Sequence, residues 1–164
     1  MSRRIAAAIR EVQGTDYEAL NRFFEENNRP EVTRHFHAFP LTSQTAYQIA
    51  CTSHFDRYYI AIWNGYIVGL CMLRGWDEGF EIPSFGIFVD YRHYGLGLGR
   101  QMTEFAIAEA RKLGCPKMRL SVYASNIRAL CLYTTLGFKE ISRERVLITG
   151  EPDEKIIMVK EFTR

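Results

Sequence analysis

The sequence predicts an α/β fold built on a mixed sheet of about seven strands with about four helices. Strand-like and helix-like hydrophobic patterns alternate along the chain, and an Asn64-Gly65 pair separates two of the strand-like runs. The later helical patterns each follow a strand-like run, which favours a helical crossover connection between parallel strands. The 164 residues are 47% hydrophobic and 24% charged, as expected of one ordinary globular domain.

The first half of the chain is expected to be mainly antiparallel. Asn64-Gly65 is a favoured pair for a type I′ turn, so its flanking runs predict a hairpin. Pro83 and Gly86 weaken regular pairing in the next strand and predict a bulge there. The elements predicted in this half are strands at residues 4–10, 57–63, 66–73 and 81–90 and helices at residues 16–27 and 42–52.

The second half is expected to contain the βαβ-like crossing. Gly114 and Gly137 follow two amphipathic patterns and are predicted to end their helices. The elements predicted here are helices at residues 99–113 and 126–136 and strands at residues 117–123, 138–148 and 155–162. The exposed edges of the terminal strands are compatible with a homodimer.

Composition argues against several classes of protein. The net charge of +2 is too small to indicate nucleic acid or an anionic membrane as a partner. No apolar run approaches the roughly 20 residues of a membrane span, and Arg10-Glu11 interrupts the N-terminal stretch too early for a signal peptide. The cysteines, which lack metal-ligand spacing and indicate reduced thiols in the cytoplasm, are Cys51, Cys71, Cys115 and Cys131.

The stretch "YGLGLG" at residues 94–99 joins a strand-like run to a helical pattern. A glycine-rich turn at a helix start exposes free backbone N–H groups, which suit a phosphate. The stretch is not a Walker A loop, because Arg100-Gln101 follows it, and it lacks the third glycine of a Rossmann fingerprint. By itself it is also compatible with a purely structural loop.

A second motif makes the assignment specific. Residues 126–138, "NIRALCLYTTLGF", resemble the N-x-x-A-x-x-x-Y-x-x-x-G-F helix of the GNAT family of N-acetyltransferases. The matching positions are Asn126, Ala129, Tyr133, Gly137 and Phe138. The resemblance is good over residues 57–140, whereas the first 56 residues match only in the order of their elements.

The family's earlier motif, Gln/Arg-x-x-Gly-x-Gly/Ala, can be aligned in two frames. We prefer the frame over residues 94–99, in which Tyr94 replaces the usual glutamine or arginine. The rival frame begins at Arg92, and we disfavour it because it shifts Met102 away from the expected position of the first core residue of the helix.

The resemblance implies a single N-acetyltransferase domain over residues 1–164 that uses acetyl-CoA as co-substrate and no metal. It further implies that strands four and five splay apart to admit the cofactor. The residues expected to contact acetyl-CoA are Ile87, Phe88, Val89, Tyr94, Gly95, Leu96, Gly97, Leu98, Gly99, Arg100, Asn126 and Tyr133. Asn126 is also expected to cap its helix.

The same resemblance implies direct attack of an amine on the thioester. Tyr133 occupies the family's general-acid position, and a backbone N–H near Phe88 would stabilise the oxyanion. Glu81 is our candidate general base, since it shares strand parity with Val89. The competing candidates are Asp77, Glu78 and Ser84.

The acceptor is expected to be the primary amine of a small molecule. The segment "RPEVTRHFHAFPL" at residues 29–41 combines cations with aromatic rings, which suits an amino sugar or a nucleotide-linked amino sugar. The alternatives are a protein N-terminal or lysine acetyltransferase and a non-catalytic sensor of acetyl-CoA. All of these hypotheses concern a cytoplasmic protein.

Overall fold

The computed structural model describes residues 3–163 and contains the seven predicted strands. The strands are β1 (Ala8–Glu11), β2 (Arg57–Trp63), β3 (Tyr66–Arg74), β4 (Ser84–Val89), β5 (Lys117–Tyr123), β6 (Lys139–Ile148) and β7 (Glu151–Glu161). The helices are α1 (Tyr17–Asn27), α2 (Pro30–Thr33), α3 (Ser43–Cys51), α4 (Leu98–Lys112) and α5 (Ile127–Thr135). The predicted α/β class is confirmed. The unpredicted α2 is a single turn, too short to show a helical period.

The sheet has the order β1-β2-β3-β4-β5-β7-β6, and β4 and β5 are its parallel neighbours. These two strands pair only at Ser84–Arg119 and Phe85–Leu120, and beyond those pairs they separate. The predicted splay of strands four and five is therefore confirmed. It opens a gap between the C-terminal halves of the two strands.

Two hydrophobic clusters cover the two faces of the sheet. Under α4 and α5, Met102 and Ala106 pack against Leu120 of β5 and Tyr133 of α5. On the other face, side chains of α1 and α3 pack over β2, β3 and β4, with Phe88 among them. This second cluster contains no residue of β5, β6 or β7, so that half of the face is left open beside the gap.

The first strand is shorter than predicted. It begins at Ala8, because the residues before it bind the loop that precedes α4 and the first turn of that helix instead of a neighbouring strand. The Ile5 amide donates to the Leu96 carbonyl at 3.1 Å, and the Ala7 amide donates to Gln101 Oε1 at 3.0 Å. The N-terminal segment therefore supports the glycine-rich stretch.

The expected bulge in β4 is absent. The strand begins only at Ser84, after Pro83, and pairs with β3 in unbroken register. Gly86 is explained by packing instead, since a Cβ atom there would lie 2.5 Å from Met72 Sδ. The register shift among these strands lies at Ala61/Ile62 of β2.

Candidate active site

The gap between β4 and β5 widens into a cleft of about 910 Å³. One end is lined by the glycine-rich stretch and the start of α5. The other end is lined by the loop after β3, the segment around α2, and the open face of β5 and β7. Its volume and mixed lining are typical of a small-molecule site.

The glycine-rich stretch forms a helix start with free backbone amides. Gly95 and Gly97 have left-handed backbone, with φ of +77° and +85°, which residues with side chains rarely adopt. Helix α4 begins at Leu98, so the first-turn amides have no partner within the helix. Free amides and the positive end of the helix dipole suit a phosphate group.

The choice between the two motif frames stays a prediction. Leu98 is 2% exposed and is the first core residue of α4, one turn before Met102, so the position of Met102 does not decide between them. Gly97 is left-handed, whereas Gly99 lies inside the helix. That arrangement fits the frame that begins at Tyr94, whose last position also accepts alanine, because alanine is favoured in a helix and disfavoured at positive φ.

Neither of the side chains at the start of the two frames is free to bind a ligand. Arg92 bonds both carboxylate oxygens of Asp90 at 3.1 Å and pairs with Glu26. Tyr94 Oη donates to the carbonyl oxygen of Glu31 at 3.1 Å. The groups of this loop that remain free for an anion are therefore its backbone amides.

Two arginines that sequence reasoning missed lie beside the loop. The side chain of Arg4 packs on Gly97, and a guanidinium nitrogen of Arg128 lies 3.9 Å from the position that a Cβ of Gly95 would take. The predicted Arg100 instead pairs with Glu104 on the exposed face of α4. Arg128 could have been found from sequence, because it lies two residues after Asn126 in the first turn of the motif helix.

The backbone amides of β4 point alternately towards β3 and towards the gap. Asp90 N donates to Val68 O on the β3 side, whereas Pro83 O accepts from Arg119 N on the β5 side. By the alternation of an extended strand, Ile87 and Val89 direct their amides to the gap. Phe88 directs its amide to β3, so the expectation that its own backbone contacts the cofactor is wrong. The amides near Phe88 that face the gap are those of Ile87 and Val89.

Tyr133 forms part of the cleft wall. It is 6% exposed, and its ring lies edge-on to Phe85 and Phe138 at centroid distances of 6.3 and 5.8 Å. Within residues 3–163 its hydroxyl forms no hydrogen bond. Burial raises the pKa of Tyr133, so the phenol keeps its proton at neutral pH.

Asn126 precedes α5 and lines the cleft, but its side chain makes no capping bond, which corrects that expectation. The amide group therefore remains able to contact a ligand. Its backbone carbonyl still accepts the first helical bond, from the amide of Leu130.

The carboxylates proposed as bases differ in their surroundings. Asp77 accepts backbone hydrogen bonds from Phe55 and Asp56 at 2.6 and 3.1 Å, so it serves the loop structure. Glu81 lies in the loop before β4, and the strand-parity argument for it is wrong. It nevertheless lines the cleft together with Glu78 and Ser84.

A segment that we name the strap, residues 28–40, covers the open face of the cleft. His37 Nδ1 lies 2.7 Å from Tyr123 Oη, and His35 Nε2 lies 3.0 Å from Ser125 Oγ. Arg74 donates to the Ala38 carbonyl at 3.0 Å. These bonds join the strap to β5 on one side and to β3 on the other.

At the acceptor end, two cations line the cleft without a partner among the described residues. Across residues 3–163, the side chains of Arg119 and Lys155 take part in no hydrogen bond or ion pair. By the strand register both project from the face that the strap covers, because Arg119 pairs with Ser84 and Lys155 pairs with Tyr123. This end of the cleft can therefore hold an anionic group beside the Glu78 and Glu81 carboxylates.

Residues 3–163 contain no helix that is long and apolar enough to cross a membrane. The same residues contain no group of three or more metal-ligating side chains. The four cysteines all carry free thiols.

Comparisons with known proteins agree on one family. Residues 17–138 match the model of the Acetyltransferase (GNAT) family. The chain is 40% identical over 80 residues to the ribosomal protein bS18-alanine N-acetyltransferase of Escherichia coli strain K12, covering 48% of this chain and 54% of the relative. It is 33% identical over 110 residues to the spermine/spermidine N(1)-acetyltransferase of Bacillus subtilis strain 168, covering 61% and 66%.

Solved structures give the same result for the fold. The crystal structure of the Escherichia coli ribosomal-protein-S18-alanine N-acetyltransferase superposes with a TM-score of 0.74 at 25% identity, covering 97% of this chain and 96% of that one. In sequence, the chain spans only 24% to 66% of the length of the curated relatives described by these matches.

Proposed function

Because the chain belongs to the GNAT family of acetyltransferases, we propose that it transfers the acetyl group of acetyl-CoA to the primary amine of a small molecule. The observation that carries this proposal is the β4–β5 gap, which joins an anion-binding helix start to a buried tyrosine. The four free thiols favour a cytoplasmic location.

The residues around the cleft fit acetyl-CoA. The free amides at the start of α4, with Arg4 and Arg128 nearby, suit its pyrophosphate. The amides of Ile87 and Val89 face the gap and suit the pantetheine arm, as an added strand would. The bound cofactor would supply an activated acyl thioester, and the chain would supply orientation and proton transfer.

Tyr133 is proposed as the general acid. Its hydroxyl holds a proton on the cleft wall and can donate it to a thiolate that leaves beside it. The proposed donors to the oxyanion are the amides of Ile87 and Val89, the neighbours of Phe88, since they point into the gap. Glu81 or Glu78 would accept the proton of the amine, directly or through water.

The proposed acceptor carries an anionic group near its amine. Arg119 and Lys155 lie unpaired at the acceptor end, and the carboxylates of Glu78 and Glu81 lie in the same cleft. An amino sugar phosphate or a nucleotide-linked amino sugar combines the two charges that this lining favours. The strap covers the site and so favours a compact acceptor over a long peptide.

The similarity to the ribosomal protein bS18-alanine N-acetyltransferase supports a second candidate, acetylation of a protein N-terminus. Its acceptor would be a flexible chain end that enters beneath the strap. The two candidates differ in whether phosphate groups on the acceptor raise kcat/KM.

A panel of amines with acetyl-CoA tests the proposal, with release of CoA thiol as the readout. We expect nucleotide-linked or phosphorylated amino sugars to give a higher kcat/KM than free amino sugars, polyamines and peptides. Tyr133→Phe should lower kcat by about 10²-fold or more while leaving the Kd for acetyl-CoA nearly unchanged. Tyr66→Phe makes the same chemical change on an exposed hairpin residue and serves as the matched control.

Other outcomes would overturn the proposal in different ways. Preferred turnover of N-terminal peptides would establish the second candidate. Tight binding of acetyl-CoA without turnover of any amine would indicate a sensor. Wild-type kcat in Tyr133→Phe would remove the phenol from the reaction.

A further inference from the structure

We propose that the Tyr94 hydroxyl is a positioning group that couples occupancy of the glycine-rich loop to closure of the strap over the acceptor end. Tyr94 lies in the loop expected to bind acetyl-CoA, yet its hydroxyl donates to the Glu31 carbonyl of the strap at 3.1 Å. The proposal rests on the proposed function, because it concerns how one substrate prepares the site of the other.

The start of the strap is bound to the residues that precede the loop. The buried Asn27, which ends α1 directly before the strap, donates to Asp90 Oδ1 at 3.0 Å and accepts from the Tyr91 amide at 3.0 Å. The Arg29 guanidinium lies over the Tyr91 ring, 3.8 Å from its centroid. Residues 90–91 and the start of the strap therefore form one polar junction.

Tyr94 extends this junction into the part of the loop that changes direction. Gly95 and Gly97, which follow it, have the freest backbone of the loop. An anion held by the amides at the start of α4 would restrict that freedom and keep Tyr94 in position. The Tyr94 side chain would then hold Glu31, in the first turn of α2.

The far end of the strap reaches the acceptor side. Phe36 is 7% exposed and packs on Phe88 of β4 with ring centroids 4.7 Å apart. His37 contacts Tyr123, the last residue of β5, and His35 contacts Ser125 just after it, beyond the part of β5 that pairs with β4. A strap fixed at Glu31 therefore presents its two histidines at the acceptor end of the cleft.

Coupling of this kind is reciprocal. If binding at the loop stabilises the closed strap, then closure of the strap over an acceptor strengthens binding at the loop by the same factor. The acceptor affinity should therefore be higher with CoA bound than without it.

Limited proteolysis with trypsin measures strap opening without knowledge of the acceptor. Within the strap Arg34 is exposed and Arg29 is protected by the following Pro30, so cleavage after Arg34 reports local opening. We expect saturating CoA to slow this cleavage in the wild-type chain. Tyr94→Phe should lose most of that protection. Its rate of cleavage with CoA bound should exceed that of the wild-type chain by about threefold to tenfold, because one net hydrogen bond is removed.

Tyr66→Phe is the matched control and should retain full protection by CoA, since Tyr66 is 69% exposed on the β2–β3 hairpin. The Kd for CoA, measured by calorimetry on each variant, separates the outcomes. If Tyr94→Phe keeps full protection at saturating CoA, the coupling proposal is overturned while the proposed function survives. The same holds if CoA binds the wild-type chain without slowing cleavage.

A rise in the Kd for CoA in Tyr94→Phe without loss of protection at saturation would show a direct contact with the cofactor, against the proposal. If CoA does not bind the wild-type chain at all, the proposed function fails and the coupling fails with it.

Discussion

Asp90 is the most fully bonded carboxylate beside the cleft. It is 1% exposed and accepts hydrogen bonds from Arg92, His93 and Asn27. Burial would raise the pKa of Asp90, but these bonds outweigh it and hold the pKa below the usual range. The charged carboxylate is thus the form that stabilises the junction between α1 and the loop.

Asp90→Asn should therefore lower the free energy of unfolding at pH 7, by about 1–3 kcal/mol. A depressed folded-state pKa contributes stability above the unfolded pKa of about 3.9 and loses it as pH falls through the folded value. The difference between wild type and variant should shrink below about pH 4. Urea titrations between pH 3 and pH 7 measure it.

Glu104→Gln is the control for this variant, because it removes a carboxylate from an exposed ion pair with Arg100. Its cost should stay below about 1 kcal/mol. A loss of stability in Asp90→Asn that is equal at every pH would show that the charge of Asp90 is not its source.

Glu81 is the proposed base, and a pH–rate profile tests that role. Glu81→Gln should lower the rate of acetylation most at low pH, where the amine is mainly protonated and removal of its proton limits the reaction. Glu78→Gln is the comparison, since both carboxylates line the cleft. Unchanged pH–rate profiles in Glu81→Gln would exclude it as the base.

At the scale of elements, the start of α4 contains two glycines whose replacement by alanine should have opposite effects on stability. Gly97 has a φ of +85°, so Gly97→Ala should destabilise the chain by about 1–2 kcal/mol. Gly99 is helical, and a Cβ there would only touch Leu132 Cδ2 at 3.7 Å. Gly99→Ala should therefore stabilise by about 0.5–1 kcal/mol, as alanine does in a helix.

Thermal unfolding without ligand measures the direction of both changes. For a chain of this size, each kcal/mol shifts Tm by about 2–4 °C. Destabilisation by Gly99→Ala would contradict the helix start at Leu98. The element boundaries matter here because they decide which glycine faces a ligand.

For the whole molecule, the two hydrophobic clusters meet the cleft from opposite faces of the sheet, so occupancy of the gap should stabilise the entire chain. CoA at 100 times its Kd should add about 2.7 kcal/mol to the free energy of unfolding. That corresponds to a rise in Tm of about 5–10 °C. An unchanged melt at millimolar CoA would contradict both the transferase and the sensor.

The sequence alone was sufficient for the class of fold and for the family. Hydrophobic period and the Asn64-Gly65 turn are local properties, and they predicted every strand and each helix of two or more turns. Two motifs at the right separation carried the resemblance to the family, and that resemblance implied the splay of β4 and β5. The pattern of Tyr133, Gly137 and Phe138 identified the motif helix, because it depends only on spacing along one helix.

Contacts between distant segments decided the rest. Three features depend on partners that lie far away in sequence: the first core residue of α4, the direction of the Phe88 amide and the hydrogen bonds that Asp77 accepts. The same is true of Tyr94, whose partner Glu31 is 63 positions away. The role of a side chain at a cleft depends on whether its polar atoms already form hydrogen bonds with the protein. Only the tertiary structure brings those hydrogen-bond partners together.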